Sequence, residues 1–198
     1  MFKGQAAEGS EIQCKFICTI RAFGGFTIDG LSHKLDSVKG CIYGYYDACV
    51  VLMGTNDLVR ENFDIWSFMN NFKQILLKFH SRLGCKHVIV LGFLPRAFCK
   101  RNCKTNDCLY IHRGRGKISA SEFNARIWKT NKGIRELITY DERFRSFKFV
   151  NFCDRIVKLG DADNSFGKFL SVDGLHMSKF GNSLFDKWLI KFLNDMEW

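Results

Sequence analysis

Two short polar blocks in this sequence carry residue types that can act together on a carbonyl group. Residues Gly54 to Asp57 read Gly-Thr-Asn-Asp and directly follow an apolar run, and residues Asp173 to His176 read Asp-Gly-Leu-His. An amide side chain after a glycine turn can donate a hydrogen bond to a developing oxyanion. An Asp three residues before a His can orient the imidazole as a general base. The two blocks therefore indicate a site that stabilises negative charge and takes up a proton.

Each block also has an ordinary structural interpretation. Asn-Asp after a strand commonly forms a turn and caps a helix, and Asp-Gly is a common turn dipeptide. We interpret Asp57 as a structural cap rather than a catalyst. The other histidines are interpreted as solvated or packed side chains, namely His33, His80, His87 and His112.

Four apolar runs are candidates for the strands that position these blocks. Three of them are almost continuously apolar, as is typical of strands buried on both faces of a parallel sheet: Phe16 to Phe23, Ala48 to Met53 and His87 to Phe93. A fourth, weaker run extends from Phe147 to Phe152. The Gly-Thr-Asn-Asp block comes directly after the second run, at the carboxyl end of a predicted strand.

Three helices are predicted between and after these strands. Apolar residues at three- and four-residue steps predict a helix from Ile65 to Leu83, with Gly84 as its C-terminal stop. A second helix is predicted from Ser119, where Ser-Ala-Ser-Glu has the spacing of a capping box, and a last one from about Ser183. Because strands and helices alternate, we expect one domain over residues 1–198, a three-layer α/β/α fold with a mostly parallel sheet.

The blocks and their order resemble the SGNH (GDSL-type) hydrolase superfamily. Residues 54–57 are similar to the family's Gly-x-Asn-Asp block, and residues 173–176 are similar to its Asp-x-x-His block. Residues 21–28 resemble the segment that holds the family's oxyanion glycine. The resemblance covers the chain from Phe16 to the C-terminus and implies a flavodoxin-like arrangement of strands.

The resemblance also implies roles for single residues. It makes Gly25 and Asn56 the oxyanion donors, His176 the general base, and Asp173 the partner that orients the imidazole. It further implies a serine hydrolase that acts on acyl or acetyl esters and needs no cofactor.

The family's nucleophile block is the part of the pattern that this sequence lacks. Family sequences begin with an apolar strand that ends in Gly-Asp-Ser, followed by a helix and the strand to the oxyanion glycine. Ser10 is the nearest match, but no apolar strand precedes it and only fourteen residues separate it from Gly25. That interval is too short for a helix of about ten residues and a strand of about five. Ser10 is therefore a poor nucleophile candidate, and we expect residues 1–13 to be disordered and esterase turnover to be weak or absent.

The missing block also removes the first strand, which is central in the flavodoxin-like order. Three alternatives remain open from the sequence. The run Phe16 to Phe23 could take the vacant place, a partner could fill it, or the chain could be a shortened product of a longer gene.

Positive charge is concentrated in one part of the chain. The formal net charge is +10, and seven cations but only one anion lie between Arg96 and Lys117. We interpret residues 96–117 as an exposed, inserted basic loop. The alternative function is a non-catalytic binding module whose loop contacts nucleic acid or another polyanion. The resemblance is compatible with this alternative, because SGNH-like domains also occur in proteins encoded by mobile elements. The candidate contacts are Arg101, Lys104, Arg113 and Arg115.

The cysteines give little support to a metal site or a disulfide framework. There are nine of them, an odd number without regular spacing, and Cys99, Cys103, Cys108 and His112 lack the paired clips of a zinc site. We therefore predict no metal. No apolar run approaches the roughly 20 residues that span a bilayer, and the N-terminus lacks the apolar stretch of a secretory signal. We accordingly expect an intracellular protein, cytoplasmic or nuclear, without a membrane partner.

Overall fold

The computed structural model describes residues 26–37, 46–95, 109–111, 117–152, 154, 169–170 and 177–196. The predicted strand Phe16 to Phe23, the predicted disordered stretch 1–13 and most of the basic segment 96–117 lie outside these residues. In chain order the elements are α1 (Ile28–Ser37), β1 (Ala48–Val51), the single-turn α2 (Thr55–Leu58), α3 (Ile65–Leu83), β2 (His87–Leu91), β3 (Leu109–Ile111), β4 (Lys117–Ser119), α4 (Ala120–Tyr140), a 3-10 helix (Glu142–Phe144), β5 (Phe147–Val150) and α5 (Lys179–Asn194).

The main sheet has three described strands in the order β1-β2-β5, and both pairings are parallel. Cys49 lies opposite Val88, and Val90 lies opposite Phe149. Helix α3 connects β1 to β2, and α4 lies in the connection from β2 to β5. The strands therefore all end at one edge of the sheet, which we call the carboxyl edge.

Helices cover both faces of this sheet, which explains why the strands are apolar throughout. Val88 and Val90 belong to the larger core cluster, together with residues of α1, α3 and α4. Ile89 and Leu91, whose side chains alternate with them, pack in a second cluster with residues of α5. This arrangement confirms the predicted three-layer α/β/α class with a parallel sheet.

Two helix boundaries agree with the patterns in the sequence. Helix α3 ends at Gly84, which adopts the left-handed conformation at φ 60° that favours glycine. Helix α4 begins after Ser119, whose hydroxyl oxygen accepts a hydrogen bond of 3.0 Å from the amide N–H of Glu122. Both signals depend on residues that are close in sequence, and both are confirmed.

Other elements differ from the sequence-based expectations. Helix α5 begins at Lys179 rather than near Ser183, because the Ser178 hydroxyl caps it by accepting from the N–H of Gly181 at 3.0 Å. Helix α1 is an element that the apolar pattern did not predict. Within the basic segment, β3 and β4 form an antiparallel pair with Tyr110 opposite Ile118, so that segment is not loop throughout.

Two further observations bear on the composition arguments. The described cysteines, Cys49 and Cys85, are thiols and do not form a disulfide. None of the helices in the described ranges is long and apolar enough to cross a membrane.

Candidate functional site

The first polar block forms a tight turn at the carboxyl end of β1. Gly54 precedes α2 and has a φ of 97°, a left-handed conformation that L side chains rarely adopt. A Cβ atom at this position would lie 3.0 Å from Cζ of Phe68 and 3.2 Å from Cδ1 of Ile28. The turn is therefore packed between α3 and α1, and this packing determines where α2 presents its side chains.

Asn56 lies on α2 and contacts the segment that follows the predicted oxyanion glycine. Its Nδ2 atom donates a hydrogen bond of 3.0 Å to the backbone carbonyl of Phe26, which is the residue directly after Gly25. Because a carbonyl can only accept, this bond determines which end of the side-chain amide is nitrogen. An amide nitrogen carries two N–H groups, so Asn56 has a second donor for a ligand.

Asp57 contacts the same segment on the other side of Thr27. Its Oδ2 atom accepts a hydrogen bond of 2.9 Å from the backbone N–H of Ile28, the first residue of α1. Burial raises the pKa of the Asp57 carboxyl, and this effect outweighs the opposing hydrogen bond from Ile28 and the nearby charge of Arg60. Asp57 is thus a cap, as the sequence suggested, but it caps α1 rather than its own helix.

Thr27 lies next to this site and uses its hydroxyl for capping. Its Oγ1 accepts from the N–H of Gly30 at 3.2 Å, and its carbonyl accepts from the N–H of Leu31 at 2.9 Å. Thr27 therefore acts as the N-cap of α1, a role that accounts for the position of its hydroxyl.

The second polar block, with Asp173 and His176, lies outside the described residues, but the residues on both sides of it are described. Leu170 and Met177 form an isolated antiparallel bridge. The N–H of Ser178 donates to the carbonyl of Phe169 at 2.8 Å, and α5 begins directly afterwards.

The packing of α5 shows at which edge of the sheet this helix begins. Phe152, just after β5, has its ring 5.1 Å from that of Phe185 and 4.9 Å from that of Trp188. Leu94, just after β2, packs on the same cluster of residues. The first half of α5 therefore lies at the carboxyl edge, where Asn56 also lies. We predict that the side chains of Asn56 and His176 lie within ~12 Å of each other, close enough for one substrate to bridge.

The remaining predicted site residues also lie outside the described residues. They are Ser10, Gly25 and the basic candidates Arg101, Lys104, Arg113 and Arg115. The four residues considered for zinc are likewise not described. Among the residues that the structure does describe, no three potential metal ligands lie together.

The structure also reveals a buried polar residue that supports the carboxyl edge. Asn131 on α4 is 4% exposed, and its Oδ1 accepts from the N–H of Phe93 at 2.8 Å while its Nδ2 donates to the carbonyl of Phe93 at 3.0 Å. Phe93 lies two residues beyond the end of β2. This residue could have been recognised in the sequence, because Asn131 lies between Ile127 and Ile134 on the apolar face of α4. A polar side chain that is buried on such a face needs a hydrogen-bond partner.

Comparisons with known proteins identify the fold. No family model and no curated protein matches the sequence. A solved structure of a proposed platelet activating factor from Streptococcus pneumonia superimposes with a TM-score of 0.61 at 22% identity, covering 85% of this chain and 69% of that one. A proposed acylhydrolase from Bacteroides fragilis gives a TM-score of 0.58 at 14% identity, covering 88% and 73%.

A third structure carries the family description directly. A GDSL-like lipase from Bacteroides thetaiotaomicron has a TM-score of 0.54 at 16% identity, and the match covers 85% of this chain and 73% of that one. The chain therefore has the α/β/α fold of SGNH hydrolases. This confirms the resemblance drawn from the two polar blocks at the level of the fold.

Proposed function

We propose that this chain is an SGNH hydrolase-like domain that binds acyl or acetyl esters and hydrolyses them slowly. The observation that carries the proposal is the 3.0 Å hydrogen bond between the Asn56 amide and the Phe26 carbonyl. It brings together two segments thirty positions apart, each of which holds one predicted oxyanion donor. Descriptions of the structural neighbours as a GDSL-like lipase and a proposed acylhydrolase support an ester substrate.

In this proposal the ester carbonyl oxygen lies between the Asn56 side chain and the backbone N–H of Gly25. Both groups would donate hydrogen bonds to the oxygen as negative charge develops on it. Asp173 would hold the imidazole of His176 so that the imidazole can accept a proton from the attacking group. The alcohol would leave after His176 returns that proton to its oxygen.

The attacking group in this chain is proposed to be water rather than a serine. Ser10 belongs to a polar stretch of the sequence. Ordering such a stretch costs about 1 to 2 kcal/mol for each residue. Thr27 already caps α1 through its hydroxyl oxygen. A general base and oxyanion donors that act on water give much slower hydrolysis than an activated serine does.

The test is to treat the purified protein with a fluorophosphonate probe and to measure hydrolysis of p-nitrophenyl acetate. We expect no stoichiometric labelling and a slow hydrolysis that falls at least tenfold in both His176→Ala and Asn56→Ala, since each removes a group that acts in the transition state. Ser10→Ala should hydrolyse at the rate of the unmodified chain.

Two results would contradict this proposal in different ways. Stoichiometric labelling that disappears in both Ser10→Ala and His176→Ala would identify Ser10 as a working nucleophile. Hydrolysis that is the same in the unmodified chain, His176→Ala and Asn56→Ala would show that the carboxyl edge is not an ester-hydrolysing site.

A second candidate function is polyanion binding by the basic segment. The observation that favours it is the β3 and β4 pairing, which ends with Ile111 opposite Lys117. The five residues that join these two include Arg113 and Arg115. Two antiparallel strands can present the residues that join them as a ribbon to a nucleic acid.

Binding to a mixed-sequence oligonucleotide measures this candidate function. Replacing Arg101, Lys104, Arg113 and Arg115 by Ser should weaken binding more than tenfold and flatten its salt dependence, because fewer counterions are released. The matched control removes the same charge from exposed helix positions, with Lys129, Lys132, Lys187 and Lys191 replaced by Ser. Equal affinities for the unmodified chain and the first variant would exclude the basic segment as the binding surface.

A further inference from the structure

The Asn-Asp pair on α2 contacts the backbone on both sides of a single residue. Asn56 donates to the carbonyl of Phe26, and Asp57 accepts from the N–H of Ile28. The two partner groups flank Thr27, so two consecutive side chains of one helical turn hold a segment that lies about thirty positions earlier in the sequence.

The position of Asp57 follows from what the start of α1 requires. The first N–H groups of a helix have no partner within it. Thr27 supplies an acceptor to Gly30 and another to Leu31. The N–H of Ile28 receives its acceptor from Asp57, and a carboxylate is favourable there because the positive end of the helix dipole lies at the same place.

Asp57 is also held in place by the packing around its own turn. Gly54 is in contact range of Phe68 and Ile28, and Leu58 and Ile28 are both fully buried. A shift of the α2 turn relative to α1 would therefore disturb core contacts as well as the two hydrogen bonds. The pair thus sets the distance between the Asn56 amide and the segment that follows Gly25.

We propose that Asp57 is a positioning residue of the oxyanion site. It holds the start of α1 so that the two donors of the proposed function, the backbone N–H of Gly25 and the side chain of Asn56, are directed at one position. This inference rests on the proposed function, because it assigns Asp57 a role in the same site. Asp57 itself does not contact the substrate, and its effect passes through the Ile28 N–H.

The test compares Asp57→Ala, which removes the acceptor, with Asp57→Asn, which keeps an acceptor oxygen of the same shape. In p-nitrophenyl acetate hydrolysis we expect Asp57→Ala to lower kcat about tenfold while KM changes less than twofold. Asp57→Asn should restore most of kcat. A misplaced donor weakens binding of the transition state more than binding of the ground state. We therefore expect kcat to fall while KM stays nearly constant.

A second measurement does not depend on turnover. Hydrogen exchange of the Ile28 amide should be at least tenfold faster in Asp57→Ala than in the unmodified chain, while the Leu31 amide, which Thr27 holds, stays protected. The side-chain NH₂ signals of Asn56 in an ¹H–¹⁵N spectrum should also shift in Asp57→Ala and less in Asp57→Asn.

The matched control is Asp64→Ala. Asp64 also caps a helix, since its Oδ2 accepts from the N–H of Ser67 at 2.8 Å, but the capped helix is α3 rather than α1. This variant should leave the hydrolysis constants and the Ile28 exchange rate unchanged. The comparison distinguishes the effect of losing any helix cap from the effect of losing the hydrogen bond between Asp57 and Ile28.

The possible results separate this inference from the proposed function. If the unmodified chain hydrolyses esters no faster than His176→Ala, the proposed function fails, and the exchange and NH₂ measurements alone decide the inference. If neither the Ile28 exchange rate nor the Asn56 signals change in Asp57→Ala, the inference is overturned. It is also overturned if unmodified hydrolysis depends on His176 but kcat is the same in folded Asp57→Ala.

Discussion

Replacing Gly181 by Ala is expected to destabilise the protein by about 2 to 4 kcal/mol, which corresponds to a fall in Tm of roughly 5 to 15 °C. A Cβ at this position would lie 2.2 Å from the backbone carbonyl oxygen of Phe169. That carbonyl is held by the N–H of Ser178, so the backbone has to move and the start of α5 moves with it. Chemical denaturation followed by circular dichroism measures the loss.

Gly133→Ala is the matched control, because it also adds one methyl group to a glycine within a helix. The added Cβ would lie 3.3 Å from Cε and Sδ of Met69, which are the mobile end of a flexible side chain. Removing a glycine from a helix interior gains up to about 1 kcal/mol, so we expect this variant to be as stable as the unmodified chain or slightly more stable. Similar stability of the two variants would show that the contact between α5 and Phe169 is not tight.

Replacing Asn131 by Ala is expected to cost about 3 to 5 kcal/mol. The substitution removes the two buried hydrogen bonds between the Asn131 side chain and the backbone of Phe93, and losing one partner of a buried hydrogen bond costs about 1 to 3 kcal/mol. Equilibrium unfolding in urea measures the change. Lys132→Ala serves as the control, because Lys132 is the next residue on the same helix and its side chain is 78% exposed. This variant should change the free energy of unfolding by less than about 0.5 kcal/mol.

Asn131→Asp adds a pH dependence with a definite sign. A carboxylate here could accept from the Phe93 N–H but would face the Phe93 carbonyl without a proton to donate. Burial and that carbonyl both favour the protonated form, so the folded-state pKa of the introduced carboxyl should be raised. The folded protein then binds more protons than the unfolded chain, and the stability deficit should shrink as the pH falls from about 8 to about 5. If the stability lost in Asn131→Asp did not change with pH, the Phe93 carbonyl and burial would not raise the pKa of the introduced carboxyl.

Gly181 and Asn131 both support the carboxyl edge of the sheet, although neither takes part in the proposed reaction. Gly181 lets α5 start close to Phe169, beside the residues that follow His176 in the sequence. Asn131 holds the backbone just beyond β2. An SGNH-type site is built from loops after several strands, so its geometry depends on contacts of this kind as well as on the reacting groups.

The features that depend on neighbours in sequence could be predicted from the sequence. The strands at Ala48, His87 and Phe147, the helix from Ile65 to Leu83 and its stop at Gly84 all follow from apolar spacing and from glycine's conformational freedom. The placement of the Gly-Thr-Asn-Asp block at the end of a strand followed in the same way. Parallel strands end at one edge, which is why this block could be identified as part of a site.

Features that depend on distant contacts could not be predicted in this way. Helix α1 is ten residues long with three apolar positions, Ile28, Leu31 and Leu35, and its first N–H finds an acceptor in Asp57 because α2 packs against it. The start of α5 at Lys179 instead of Ser183 depends on the Ser178 cap and on the close approach of Phe169 to Gly181. The contact of Asp57 with Ile28 and that of Gly181 with Phe169 join residues that no local pattern connects.

The sequence by itself therefore determined the fold class, the three strands of the main sheet with the helices α3 and α4 between them, and the residue types available for chemistry, because periodicity and caps act over a few residues. Only the tertiary structure decided the partners of those residues. Asn56 is oriented by the carbonyl of Phe26, Asp57 caps a helix that begins 29 positions earlier, and Asn131 pairs with the backbone of Phe93. Each of these hydrogen bonds needs a donor and an acceptor brought within about 3 Å of each other, and the packing of the helices sets that distance.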